Sequence, residues 1–245
     1  MATLELHYSS QAIGRQTGLA VITPDRWDGA PLPVLYLLHG LSDGFSTWHR
    51  RTALERHLQA HRMLVVLPDG ARGWYTNAHS IAADQYEDHI LEVVERVDGL
   101  FNTIRDRSGR GIGGLSMGGY GATKIGLKHA DRFGSVHSHS GVLDIRLRWE
   151  QAPHADMNLI FGHEVGDNED CFHLARQAEP RPALHIDCGT EDFLIEHNRR
   201  FHAHLDEIGY PHQYAEYPGA HDWGYWDTHI VAALAFHAEH FAKNK

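Results

Sequence analysis

No apolar run in the 245-residue sequence approaches the roughly 20 residues that a helix needs to cross a bilayer. The opening stretch, MATLELHYSSQAIGRQ, also lacks the basic and then apolar layout of a secretory leader. These absences exclude a spanning helix and predict a soluble, cytoplasmic protein. Only two cysteines occur, Cys171 and Cys188, too few for a disulfide framework, and they are read as free thiols. Basic residues are in deficit: 22 Lys and Arg stand against 32 Asp and Glu, a formal net charge of −10 without any block of like charge. That disfavours a nucleic acid or an anionic membrane as the main partner. No H-E-x-x-H or comparable cluster appears, and among 22 histidines pairs such as His137/His139 and His202/His204 are expected by chance. No metal and no organic cofactor is therefore expected.

What is present reads as one α/β domain over residues 1–245. A hydrophobic content of 42% is enough to bury one sizeable core. LELHYSS and GLAVITP alternate apolar and polar residues around Gly14 and Gly18, predicting an antiparallel N-terminal hairpin. VLYLLHG (34–40) and MLVVLPDG (63–70) are continuous apolar runs ended by glycine, as expected of strands buried on both faces. Helices are predicted over 48–60, 85–100 and 118–129, then from about residue 193, and finally at the C-terminus. Between them lie GRGIGGLS, GSVHSHSG, ALHIDCG and HQYAEYPG as further strands. Repeated β/α units imply a mostly parallel, doubly wound sheet. Residues 144–182 carry only short apolar pieces, so they are read as an irregular insertion, a candidate for a small cap or lid.

The chemistry enters with Gly114-Leu115-Ser116-Met117-Gly118, a G-x-S-x-G run placed where a predicted strand meets a predicted helix. A serine on so sharp a turn needs small residues two before and two after it, because backbone segments approach too closely for side chains. Gly114 and Gly118 meet that need. The helix that starts beyond Ser116 aims N–H groups and a positive dipole end at any oxyanion formed nearby.

Serine is a weak nucleophile at neutral pH, so it needs a histidine base, which in turn needs a carboxylate to hold its tautomer. In the strand-turn-helix arrangement of this motif, acid and base follow the serine in that order, at the ends of later strands. After ALHIDCG comes Thr190-Glu191-Asp192-Phe193, and Asp192 is the chosen acid, with Glu191 and Asp187 as competitors and a helix N-cap as its non-catalytic reading. After HQYAEYPG comes Ala220-His221-Asp222-Trp223, and His221 alone combines the right strand end with the right chain order. The second oxyanion donor is expected from His39-Gly40-Leu41, pairing the Leu41 N–H with that of Met117. Trp48, Trp74, Tyr75 and Trp223 supply aromatic surface for a substrate pocket or for packing.

These residues also carry a resemblance. YLLHGLSDGFSTWHRRTALER, VVLPDGARGWYTNA, GLSMGGYGATKIGL, HSGVLD, CGTEDFLIEHN and PGAHDWGYWD occur in the order found in the esterase D-like family of α/β hydrolases. That family includes S-formylglutathione hydrolases, tributyrin-type esterases and feruloyl esterases, and the resemblance covers nearly the whole chain. It implies an α/β-hydrolase fold, a small-molecule ester substrate, and a triad on Ser116, Asp192 and His221 with the oxyanion loop at His39-Gly40-Leu41. S-formylglutathione hydrolases commonly carry Leu-Thr-Cys after the oxyanion glycine, where this sequence has Leu41-Ser42-Asp43. GWYTN and HDWGYW resemble the tributyrin-type and feruloyl-type members instead. The rival readings are acyl transfer to another alcohol, a thioesterase, and a noncatalytic binding protein that kept the fold. The resemblance leaves monomer and homo-oligomer both open.

Overall fold

A computed structural model describes residues 1–151 and 155–243. Strands β1 (Ala2–Ser10) and β2 (Arg15–Thr23) form the expected antiparallel hairpin. Its turn closes on Gly14 at φ 60°, a left-handed conformation open to a residue without Cβ. β2 then pairs antiparallel with β4 (Leu64–Pro68). From there β3 (Val34–Leu38), β5 (Arg110–Leu115), β6 (Ser135–His139), β7 (Ala183–Gly189) and β8 (Gln213–Tyr217) continue in parallel, in the order β1-β2-β4-β3-β5-β6-β7-β8. The apolar runs of β3 and β4 are buried at every position, as strands covered on both faces must be.

Alternation along these strands divides the core. Val34, Tyr36 and Leu38 face one layer with α3 (Tyr86–Leu100), α4 (Met117–Lys128) and α8 (Ile195–Glu207). Leu35 and Leu37 face the other, with α1 (Thr47–Arg51), α2 (Leu54–Leu58) and α9 (Trp223–Lys243). This is the doubly wound α/β-hydrolase architecture.

Two expectations change. The single helix expected over 48–60 is split into α1 and α2, because Thr52 is extended and the Ala53 N–H donates to the Asp227 carboxylate of α9 at 2.7 Å. The partner that breaks the helix lies 174 residues away, so no local pattern announces it. The described residues of 144–182 are more regular than expected: they hold α5 (Ile145–Gln151), α6 (Ala155–Phe161) and α7 (Cys171–Gln177). Each helix has seven residues, too few turns for a readable period. Met157, Ile160, Phe161 and Leu174 from this segment join the core layer of α3 and α4. The end of α6 also accepts two backbone bonds from the preceding loop, His79 N–H to Ile160 O at 2.8 Å and Ser80 N–H to Leu159 O at 2.9 Å. Both cysteines are buried and free.

A fully buried cation joins the segment to α4. Lys124 Nζ lies 2.8 Å from both Glu87 and Glu169, and it donates to Tyr75 O at 2.7 Å and Thr76 Oγ1 at 3.1 Å. Lys124→Met would leave two carboxylates facing each other without their central cation. We expect it to cost about 3–5 kcal/mol in denaturant unfolding, with Glu169→Gln costing clearly less because Glu87 keeps Lys124 and Lys128. Equal losses from the two variants would contradict this reading.

On the α9 side the sheet carries a buried histidine layer. His137 Nδ1 meets His237 Nε2 at 2.7 Å, and His237 Nδ1 meets Ser135 Oγ at 2.7 Å. Burial, reinforced by the neighbouring rings, pushes both imidazoles well below the ordinary histidine range, so they stay neutral in the fold. The unfolded chain takes up protons on these rings as pH falls through about 6.5. Their contribution to stability is therefore intact above that value and lost below it. His185 opposes the trend, since Asp187 outweighs the effect of burial and raises it. Unfolding in denaturant at pH 7 and pH 5 should show a net loss of stability in acid, to which His89 and His197, lowered by burial as well, add. An unchanged midpoint with unchanged slope would refute it.

Candidate active site

Ser116 sits between β5 and α4 at φ 54° and ψ −117°, in a region where a side chain is strained. Three backbone bonds pin it: its N–H donates to His139 O at 2.9 Å, and its carbonyl accepts from Tyr120 N–H at 3.0 Å and Val142 N–H at 3.3 Å. The flanking glycines are required by close approach. A Cβ on Gly114 would lie 2.6 Å from the Gly118 carbonyl carbon, and one on Gly118 would lie 2.5 Å from Leu38 O. Backbone atoms cannot retreat as a flexible side chain could.

The loops after β7 and β8 bring the other two predicted residues to the serine. His221 Nε2 is 2.9 Å from Ser116 Oγ, and His221 Nδ1 is 2.8 Å from Asp192 Oδ2. An ionised carboxylate only accepts, so Nδ1 carries the hydrogen and Nε2 presents a lone pair to the serine hydroxyl. Asp192 is 2% exposed and accepts a second bond from Leu194 N–H at 2.8 Å. Burial alone would raise its carboxyl, but His221, the Leu194 N–H and the Ser140 hydroxyl outweigh this and hold it below the ordinary carboxylate value.

The competing carboxylates are engaged elsewhere. Glu191 is exposed and bonds Thr190 and the Gly219 N–H, tying together the two loops that carry Asp192 and His221. Asp187 is buried in β7, 2.7 Å from His139 Nδ1 and 2.8 Å from the Tyr225 hydroxyl.

Beside the serine, Met117 opens α4, so its N–H has no acceptor one turn earlier. The loop after β3 passes close by: a Cβ on Gly40 would lie 3.7 Å from Ser116 Cβ. His39 holds this loop, donating from Nδ1 to Gly40 O at 2.8 Å and accepting from Gly70 N–H on Nε2, also at 2.8 Å. Tyr75 donates its hydroxyl to His39 O at 3.0 Å. The Gly40–Leu41 segment is thereby fixed against the nucleophile turn.

Of the four aromatics read as substrate-pocket lining or as packing, three are enclosed. Trp48 donates Nε1–H to Leu38 O, Trp74 packs against Tyr120 and Phe161, and Tyr75 is fully buried. Only Trp223 keeps accessible surface, edge-on to Trp48 and Trp226.

Two contributors, Phe193 and Ser140, escape the sequence reading, whereas Trp226 is read with Trp223 as pocket wall or helix packing. Phe193 is 67% exposed with its ring 4.6 Å from the His221 ring, and its proximity to Asp192 in the chain was the available signal. Trp226 packs edge-on under His221 at 4.9 Å. Ser140, at φ 48°, supports Asp192 across the fold, and no local pattern marks it.

The sequence matches the family described as "Putative esterase" over residues 10–237. It is 26% identical to an acetyl esterase of Caldicellulosiruptor saccharolyticus, over 96% of this chain and 97% of that protein. An esterase of Mycobacterium tuberculosis is 30% identical over 87% of the chain, which spans about half (54%) of the mycobacterial protein. Two solved structures from Staphylococcus aureus, each 32% identical over 97% of this chain and 98% of theirs, superpose closely. One is the fluorophosphonate-binding serine hydrolase FphF, with a TM-score of 0.89, and the other is described as an S-formylglutathione hydrolase, with a TM-score of 0.88. Taken with the α/β-hydrolase architecture and the serine at its strand-to-helix turn, these matches show that the chain belongs to the esterase family and is a serine ester hydrolase.

Proposed function

We propose that the protein is a carboxylesterase for short-chain acyl or small aryl (feruloyl-like) esters, working through Ser116, His221 and Asp192 and a covalent acyl-enzyme. The observation that carries this reading is the continuous relay from Asp192 through His221 to Ser116, with steps of 2.8 and 2.9 Å. His221 Nε2 takes the hydroxyl proton as Ser116 Oγ attacks the ester carbonyl carbon. The carbonyl oxygen gains the electron pair and rests between the N–H groups of Leu41 and Met117. The imidazolium then returns its proton to the departing alkoxide as the carbon–oxygen bond breaks. Water then gives a proton to His221 as its oxygen attacks the acyl carbon, and as the bond to Ser116 Oγ breaks the imidazolium returns that proton to Oγ, releasing the carboxylic acid and free Ser116. These steps need no metal or organic cofactor.

Trp223 and Phe193 flank the His221 side and offer an apolar wall to the substrate. The acetyl esterase relative supports a short acyl group. A second reading, hydrolysis of a formyl thioester, is favoured by the likeness to the staphylococcal S-formylglutathione hydrolase and opposed by Leu41-Ser42-Asp43 in the oxyanion loop. A nitrophenyl series from acetate to octanoate, beside methyl ferulate and S-formylglutathione, tests the assignment. The expected result is highest kcat/KM on a short acyl ester or on ferulate. A thioester preferred by more than tenfold over every oxygen ester would reverse it.

A further inference from the structure

We propose that His202, Asp206 and His212 form a binding site for a divalent transition ion of the zinc class. It staples the end of α8 to the edge strand β8 and takes no part in ester hydrolysis. His202 and Asp206 stand four residues apart on α8, so both project from one helix face. His212 lies in the loop before β8, and one donor atom from each residue falls within 4.8 Å of the others. His202 Nδ1 and His212 Nε2 lie 2.7 Å apart and are the two nitrogens that would bind. The opposite nitrogen of His202, 3.6 Å from Asp206 Oδ2, takes no part in the ligand set, because one imidazole gives one nitrogen to an ion.

The surrounding contacts prepare these atoms for a metal. His212 Nδ1 lies 2.8 Å from Tyr210 O, a carbonyl that can only accept. Nδ1 therefore carries the hydrogen, and in the neutral ring Nε2 is left with a lone pair aimed at His202. Such a bond from the remote ring nitrogen is the usual way a metal-binding histidine is oriented. His202 is held by flat stacking on Tyr214, with centroids 4.1 Å apart and planes at 10°. Two neutral imidazoles and one carboxylate suit zinc and its neighbours, and a half-exposed position leaves room for water as a fourth ligand. Tetrahedral zinc holds its nitrogen ligands about 3.3 Å apart, so the rings must part by roughly half an ångström, a small rotation for two partly exposed side chains. His204, although two residues from His202, is directed elsewhere, to Phe172 O.

The place in the fold separates this site from the triad. His212 precedes the first residue of β8 and His221 follows the last, so the five-residue strand, about 17 Å long, lies between them. Since β8 is the edge of the sheet, an ion bridging it to α8 would resist fraying there.

Titration of chelator-treated, dialysed protein with Zn²⁺ by calorimetry should give one strong site. His212→Ala and His202→Ala should each weaken it about a hundredfold or more. Zinc at a hundred times its dissociation constant should raise the unfolding midpoint of the natural protein by about 5 °C or more and leave both variants unmoved. Mg²⁺ should do neither. Nitrophenyl acetate hydrolysis should be unchanged by chelator and by both substitutions, which also shows that the variants are folded and keeps this test independent of the catalytic assignment. Absence of a strong site, or equal zinc binding in the natural protein and both variants, would overturn the proposal.

Discussion

Replacing Ser116 with alanine should lower ester turnover by about a millionfold, to a residue set by binding and oxyanion stabilisation. Labelling by a fluorophosphonate, located by peptide mass, should vanish at the same time. The loss must occur in a folded protein, and the backbone predicts that it will. Ser116 is held at φ 54° by bonds to His139, Tyr120 and Val142 that alanine preserves. The same geometry makes a second substitution informative. At φ 54° and ψ −117° glycine is unstrained, so Ser116→Gly should be equally inactive yet more stable than Ser116→Ala by about 1 kcal/mol. Activity within a few-fold of the natural protein in either variant would remove Ser116 from the chemistry. Equal stability of the two would remove strain from the description of the turn.

Asp192→Asn should lower kcat by about ten-thousandfold, whereas Glu191→Gln should change it only a few-fold. An amide at position 192 can donate as well as accept, so it no longer compels His221 Nδ1 to carry the hydrogen, and the lone pair on Nε2 is lost from the serine. Leu194 N–H still has an amide oxygen to bond, so the loop should hold. Glu191 acts on the same site from outside, tying its loop to Gly219, and that role tolerates a glutamine. Steady-state kinetics on one nitrophenyl ester separates the cases. A greater loss from Glu191→Gln would assign the acid to the wrong carboxylate.

The alternation of β and α units was legible because β3 and β4 are continuous apolar runs and the long helices repeat an apolar face several times. α5, α6 and α7 were not, since seven residues each do not repeat a face often enough. The break between α1 and α2 was hidden for another reason: Asp227 imposes it from the far end of the chain. The enclosure of Trp48, Trp74 and Tyr75 was equally invisible, because an aromatic residue near a site has the same letter whether it lines a pocket or fills the core beneath it.

Local pattern alone placed the strand-to-helix turn at Ser116, the glycines at positions 114 and 118, and the later strand ends that carry Asp192 and His221. These follow from short-range sterics and from the period of the backbone, both of which act within a few residues. Contacts between distant segments selected which of three neighbouring carboxylates reaches His221, brought Ser140 to Asp192 and Trp226 to His221, and set His202 against His212 while His204 turns to Phe172. Those outcomes depend on ångström distances between segments joined by many residues of chain, and hydrogen bonds hold only at such distances.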